Sequence, residues 1–267
     1  MTCIPRIARM IIAVVVGATT TISVAGGQEL VVDLQLVLAA DVSSSTNDNE
    51  VQLQRNGFAS AFRDPNVIQA IVSGPVGRIA VTYFEWSNQD NQNVIVPWTI
   101  IDDAESAYRL ASIFSEVGIT RPALVDGRTS ISAALQFGEA LFAASGFSSD
   151  RRLIDISADG VNNAGPDVGP IREEILAAGI VINGLPILNR NRPDLGSAAF
   201  AWPEDPGLVR YFRDTVIGGL GSFLIPATSI DSFYQSLRNK LVTEIVGLPA
   251  AIPQQASLGS RQPSSAR

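Results

Sequence analysis

Continuous apolar runs alternate along this chain with stretches in which apolar residues recur every three or four positions. Val31 to Ala40 is apolar nearly throughout and stops at Asp41, the pattern of a central parallel strand covered on both faces. In Thr46 to Ile71, Val51, Leu53, Phe58, Ala61 and Phe62 fall at roughly helical spacing, which predicts a helix. Asn47 or Asp48 can cap it. Pro65 predicts a break with a second short helix after it, and Ser73-Gly74-Pro75 turns the chain. Arg78 to Trp86 is rich in β-branched and aromatic residues and predicts a strand. Val94 to Ile101 predicts another; Pro97 places it at a sheet edge, and the short connection Ser87 to Asn93 makes it antiparallel.

Asp102 to Val117 has an amphipathic helical pattern, and Ile131 to Ala144 predicts a helix after the loop Asp126-Gly127-Arg128-Thr129-Ser130. Arg152 to Ser157 predicts a strand ending in Ala158-Asp159-Gly160. Asp167 to Ala178 predicts a helix with Gly179 just past its end, and Ile180 to Leu185 the next strand. A long loop, Pro186 to Asp205, leads to a helix near Pro206 to Asp214 and a short strand at Gly221 to Ile225. In Ser229 to Val246, Ile230, Phe233, Leu237, Leu241 and Ile245 form one apolar stripe, as on a helix lying on a core. Strands alternating with helices predict an α/β fold: a doubly wound, Rossmann-like, mostly parallel sheet with one antiparallel edge strand and helices on both faces. Neither an internal repeat nor a second domain is evident.

The two ends differ from this pattern. Arg6 and Arg9 precede the short apolar run Met10 to Val16, and Ser23-Val24-Ala25 offers small residues before a cleavage point. Residues 1–25 therefore predict an export signal cleaved after Ala25, with an uncleaved membrane anchor as the alternative. Gly17 and the threonines after it make a poor transmembrane helix, so no transmembrane span is expected in the mature chain. The expected location is periplasmic or secreted. Residues 247–267, rich in Pro, Gln, Ser and Ala, predict a disordered tail.

Composition narrows the chemistry. The chain has 267 residues, 46% hydrophobic and 17% charged, enough for one sizeable core and too apolar for a disordered chain. Its net charge of −7 disfavours nonspecific nucleic-acid binding. It has no histidine, which excludes histidine-dependent hydrolase triads and histidine-ligated zinc or haem. The single cysteine, Cys3, lies in the signal, so thiol catalysis, structural zinc and intramolecular disulfides are excluded as well. Signal cleavage would leave the mature chain without cysteine and more acidic still.

What remains is oxygen chemistry. In open α/β sheets ligands bind beyond the carboxyl ends of the strands. Three loops there carry unusual residues: Asp41-Val42-Ser43-Ser44-Ser45, Gly127-Arg128-Thr129-Ser130 and Ser157-Ala158-Asp159-Gly160. A small hard cation takes oxygen ligands. The hydroxyls of Ser43 and Ser45, two apart in an extended loop, can point the same way. Thr129 can add a third, and Asp41 and Asp159 supply negative charge directly or through water. With neutral hydroxyls innermost, the metal stays electron-poor and open to an external carboxylate.

The order D-V-S-S-S, then G-R-T-S-I, then S-A-D-G-V-N-N resembles the von Willebrand factor type A (VWA) domain and its metal-ion-dependent adhesion site (MIDAS). The likeness covers about residues 31 to 246. With F-E-W-S included, the stretch is more similar to a bacterial, exported subfamily of uncharacterised function with this fold, DUF1194-like. The resemblance implies the metal ligands Asp41, Ser43, Ser45, Thr129 and Asp159, a bound Mg²⁺ or Mn²⁺, and a non-enzymatic role in binding a protein that presents an Asp or Glu to the metal. Ca²⁺ is not excluded by the residues themselves.

Other readings stay open. Ser43 to Ser45 could be a turn and N-cap, Thr129 an N-cap, and Asp159-Gly160 a plain turn. Glu85, near a strand end, is either a solvated or salt-bridged carboxylate or a group approaching the metal. Arg128 could pair with Asp126 or an incoming carboxylate, or lie on the surface. Trp202 could rim the site or pin its own loop. Asn162 and Asn163 could serve only to shape their loop. Asp155, inside a strand, is expected to meet an arginine or a loop backbone. The alternative function is a metal-dependent hydrolase with Asp41 as base or nucleophile, against which Ser43 stands where phosphoaspartate enzymes carry a second Asp. A structural domain with a vestigial site is the third class. Dinucleotide binding is disfavoured, since no G-x-G-x-x-G follows the first strand.

Overall fold

The computed structural model describes residues 29–43, 48–116, 128–188, 207–227 and 230–247. In chain order its elements are β1 (Leu30–Val31), β2 (Gln35–Asp41), α1 (Asp48–Arg63), α2 (Pro65–Val72), β3 (Ile79–Trp86), β4 (Gln92–Ile101), α3 (Ala104–Glu116), α4 (Ile131–Ala143), β5 (Phe147–Ser148), β6 (Arg152–Ala158), α5 (Val168–Ala177), β7 (Ile180–Pro186), α6 (Gly207–Tyr211), a π-helical turn (Phe212–Val216) and α7 (Ile230–Val246). The five-stranded sheet runs β4-β3-β2-β6-β7. All pairs are parallel except β3 with β4. The exposed Pro97 lies on the edge strand β4, where its missing N–H leaves no ladder bond unmade.

The fully buried β2 divides the core. Leu34, Leu36, Leu38 and Ala40 face a cluster with Phe58 and Phe62 of α1, Phe114 of α3, and Leu237 and Leu241 of α7. Val37 and Ala39 face the other cluster, with Ile131 and Leu135 of α4, Ile175 of α5 and Phe212 of the π turn. Alternate side chains of one strand thus feed two helical layers, as the period of a strand requires. Phe58, Tyr83 and Phe114 meet as an aromatic cluster, with ring centroids 5.0 to 5.5 Å apart.

Three sequence expectations change. The strand expected over Val31 to Ala40 divides into β1, which pairs with β5, and β2. Asp33 lies between them, and its carboxylate accepts bonds from the N–H groups of Val76, Gly77 and Arg78. The strand expected at Gly221 to Ile225 is reduced to single bridges, Gly184 to Leu224 and Ile187 to Ala227. Gly219 and Gly221 have positive φ, so the chain there turns instead of extending. The helix expected near Pro206 to Asp214 is a short α-helix continued by the π turn. Pro65 does divide two helices: Asp64 caps α2, accepting from Asn66 N at 2.8 Å. Gly179, at φ 75°, follows the C-cap of α5. The residues of the expected signal, those of the expected tail beyond Gly247, and most of the loop after β7 lie outside the described residues.

Candidate functional site

Strand order reverses at β2: β3 lies on one side and β6 on the other. The carboxyl ends of β2 and β6 therefore flank the crevice where this architecture binds ligands. Ala40 of β2 pairs with Ser157 of β6, which puts Asp41 and Asp159 at the same edge. Asp41 is buried. Its Oδ1 accepts from Ser43 N at 2.7 Å, while its Oδ2, equally buried, has no hydrogen-bond partner among the described residues. Burial, then the charge of Asp159, push the Asp41 carboxyl up to about 8.

Thr129 lies two residues before α4. It is not the N-cap: that position is taken by Ser130, whose side chain accepts from Ala133 N. Thr129 is free to turn toward β2 instead, and its Oγ1 donates to Ser43 Oγ at 3.3 Å. A methyl group placed on Gly160 would come within 3.9 Å of the same Oγ1, so the loop after β6 closes on Thr129 as well. Asp41, Ser43, Thr129 and Asp159 are thus brought to one place. Ser45 lies outside the described residues, as do Asp126 and Trp202. Arg128 is exposed.

The loops are fastened by residues that sequence reasoning treated as mere turn formers. Asn163 Oδ1 accepts from Thr129 N at 2.8 Å, and its own N–H donates to Thr129 O at 2.9 Å. Asn162 Oδ1 accepts from Ser132 N at 3.1 Å. Ser130 N donates to Ser87 O at 2.7 Å, tying α4 to the end of β3. On the other helical layer, Gln54 Nε2 donates to Asp41 O at 3.1 Å, and Gln54 Oε1 accepts from Ser157 Oγ at 3.2 Å. A single side chain of α1 so bridges the ends of β2 and β6. Its place on the apolar face of α1, between Val51 and Phe58, was the one signal in the sequence that could have found it.

Glu85 belongs to the interior rather than to this edge. Its carboxylate takes Arg55 Nε and Nη2 at 2.6 and 2.8 Å and the Tyr83 hydroxyl at 3.0 Å. The salt-bridged reading holds, without the solvation. Asp155 meets neither an arginine nor a loop: Lys240 Nζ stands 2.6 Å from its Oδ1.

The donor set fits a hard cation. Among the described residues no three carboxylates, imidazoles or thiolates gather as a metal cage. This edge offers two carboxylates with hydroxyls between them, oxygen donors throughout. A buried carboxylate oxygen without a partner, beside a second carboxylate, is costly unless a positive charge or a proton joins it; a cation would remove that cost.

The chain belongs to the family described as protein of unknown function (DUF1194), whose model matches residues 31–249. No curated protein matches it by sequence. Its fold is VWA-like. Among solved structures, it is similar to proximal thread matrix protein 1 from the mussel byssus, at 14% identity and a TM-score of 0.56, over 82% of this chain and 50% of that one. Another structure of that protein, titled as having a zinc-occupied MIDAS motif, matches at 14% identity with a TM-score of 0.52, over 82% and 50%. The pilus adhesin SpaC from Lactobacillus rhamnosus GG matches at 15% identity with a TM-score of 0.53, over 82% and 31%. The chain spans half or less of the length of these structures.

Proposed function

We propose that the protein is an exported, non-enzymatic binding domain. In this reading Asp41, Ser43, Ser45, Thr129 and Asp159 hold Mg²⁺ or Mn²⁺ as a MIDAS. The cation would supply an electrophilic position for an Asp or Glu carboxylate of a partner protein. The observation that carries the proposal is Asp41: buried, with one carboxylate oxygen unpartnered among the described residues, next to the charge of Asp159 and the paired hydroxyls of Ser43 and Thr129. The zinc-occupied MIDAS of the mussel protein supports the choice of a divalent cation. The chain's own residues fix the donors: Asn163 holds Thr129 and Gln54 holds the backbone of Asp41. Hydrolysis finds less support, because both oxygens of Glu85, the other acidic side chain considered as a base, are committed to Arg55.

The leader-like residues 1–25 support export. Among the described residues no helix is long and apolar enough to cross a membrane. The test is a melting curve of purified protein with Mg²⁺, with Mn²⁺ and with EDTA, joined to capture of partners from the native organism in the same conditions. Cation-dependent melting and EDTA-sensitive capture are expected. Melting that ignores both cations overturns the reading.

A further inference from the structure

Beneath the sheet, away from the candidate cation site, the interior holds one ammonium and two carboxylates. Lys240, the only lysine in the chain, is fully buried on α7. Asp155 of β6 is buried against it, with Nζ 2.6 Å from Oδ1. Glu244, one turn along α7 and buried too, contacts the same Nζ through Oε1. Asn183 of β7 donates to that Oε1 at 2.9 Å and accepts from Phe223 N at 3.0 Å, which fixes the carboxylate. The Phe223 ring covers Nζ from 5.5 Å. Neither Asp155 oxygen accepts a well-aligned hydrogen bond from any described residue; the Lys240 ammonium is its ion-pair partner.

Fully ionised, this group carries one uncompensated negative charge in an apolar interior, a costly state. Moving a proton from Lys240 to Asp155 keeps the total charge and leaves an amine facing a carboxylic acid. Burial pushes the Asp155 carboxyl up, and burial and then the Asp155 charge raise Glu244 to about 7. The amine form of a lysine is a nucleophile, and here Nζ is held against the Asp155 carboxyl with Glu244 beside it, the arrangement that raises effective concentration.

We propose that Lys240 and Asp155 join in an intramolecular amide bond, with Glu244 as the catalytic proton carrier. The Nζ lone pair attacks Asp155 Cγ and forms the C–N bond. Glu244 takes the proton from the resulting ammonium. The tetrahedral centre collapses: its oxyanion restores the carbonyl, and its hydroxyl leaves with the proton returned by Glu244. One water is released, Glu244 ends as it began, and no oxidant or reductant is involved. The bond ties the central strand β6 to the last helix α7 and closes the chain between residues 155 and 240. A cross-link over such a long loop restricts the unfolded state.

The test is tryptic mapping of the denatured full chain. The expected product links Leu153–Arg172 to Asn239–Arg261, uncut at Lys240, at the summed mass less one water, about 18 Da. Asp155→Ala is expected to restore cleavage at Lys240, and Glu244→Gln to slow the link at least tenfold, the low end of general acid–base assistance. Complete cleavage at Lys240 in folded wild-type protein, or a water loss located elsewhere, overturns the proposal. Should Asp155→Ala fail to fold, the wild-type map decides alone. A Glu244→Gln chain that links as fast as wild type overturns the role given to Glu244.

Discussion

Arg55 and Glu85 form a two-point ion pair between α1 and β3, Nε to Oε1 at 2.6 Å and Nη2 to Oε2 at 2.8 Å, with side-chain exposures of 0% and 5%. Removing one partner leaves the other charge buried, which typically costs about 3–5 kcal/mol. Glu85→Gln and Arg55→Met are each expected to destabilise by that order in urea unfolding. The double variant is expected to recover much of the loss, because the uncompensated charge is gone. Additive losses would show that the two residues act independently.

Asp41→Asn is expected to change sign with cation. In EDTA it replaces a buried carboxyl whose ionised form is disfavoured by burial and by Asp159, so its melting temperature is expected to equal or exceed that of wild type. With cation at a hundred times its dissociation constant, wild type gains about 2.7 kcal/mol, and the variant is expected to gain nothing. Melting curves of both proteins in EDTA and in Mg²⁺ check both halves.

Asn163→Ala removes the acceptor for Thr129 N. Asn163 is exposed, so the stability cost is expected to be about 1 kcal/mol, that of one hydrogen bond. The effect on the cation is expected to be larger, a roughly tenfold or greater loss of affinity, as for residues that orient metal ligands. Titration of melting temperature with Mg²⁺ separates the two effects.

The strands were legible because each central one is an apolar run longer than a turn tolerates, and Pro97 marked the edge. The convergence of Asp41, Thr129 and Asp159 was legible for a topological reason: strands that run parallel end on the same side. The π turn was not legible, because Phe212 to Val216 continues the helical pattern. Nor was the role of Thr129, because Thr129 and Ser130 are both good caps and only the fold decides that Ser130 takes the position. Arg55 and Lys240 were missed for another reason. Each pairs with a residue remote in sequence, and periodicity says nothing of partners. A weak signal existed for Lys240: with Phe233 and Leu237 it falls on the buried face of α7, an odd place for the chain's one lysine.

Glu244 gives the protein a pH dependence of stability whose sign follows from its environment. Its carboxyl is raised from 4.5 to about 7, first by burial and then by Asp155. Between those values the folded chain holds a proton that the unfolded chain has released. Folding is therefore favoured at the acid side, and stability falls as pH rises from about 4.5 toward 7, by at most about 1.4 kcal/mol per pH unit for this group. Glu244 stays buried whether or not Lys240 and Asp155 are joined, so the sign is the same in both states. Urea unfolding at pH 5 and pH 7.5 is expected to show wild type losing more stability than Glu244→Gln across that interval. The same slope in both proteins would assign the dependence to other groups.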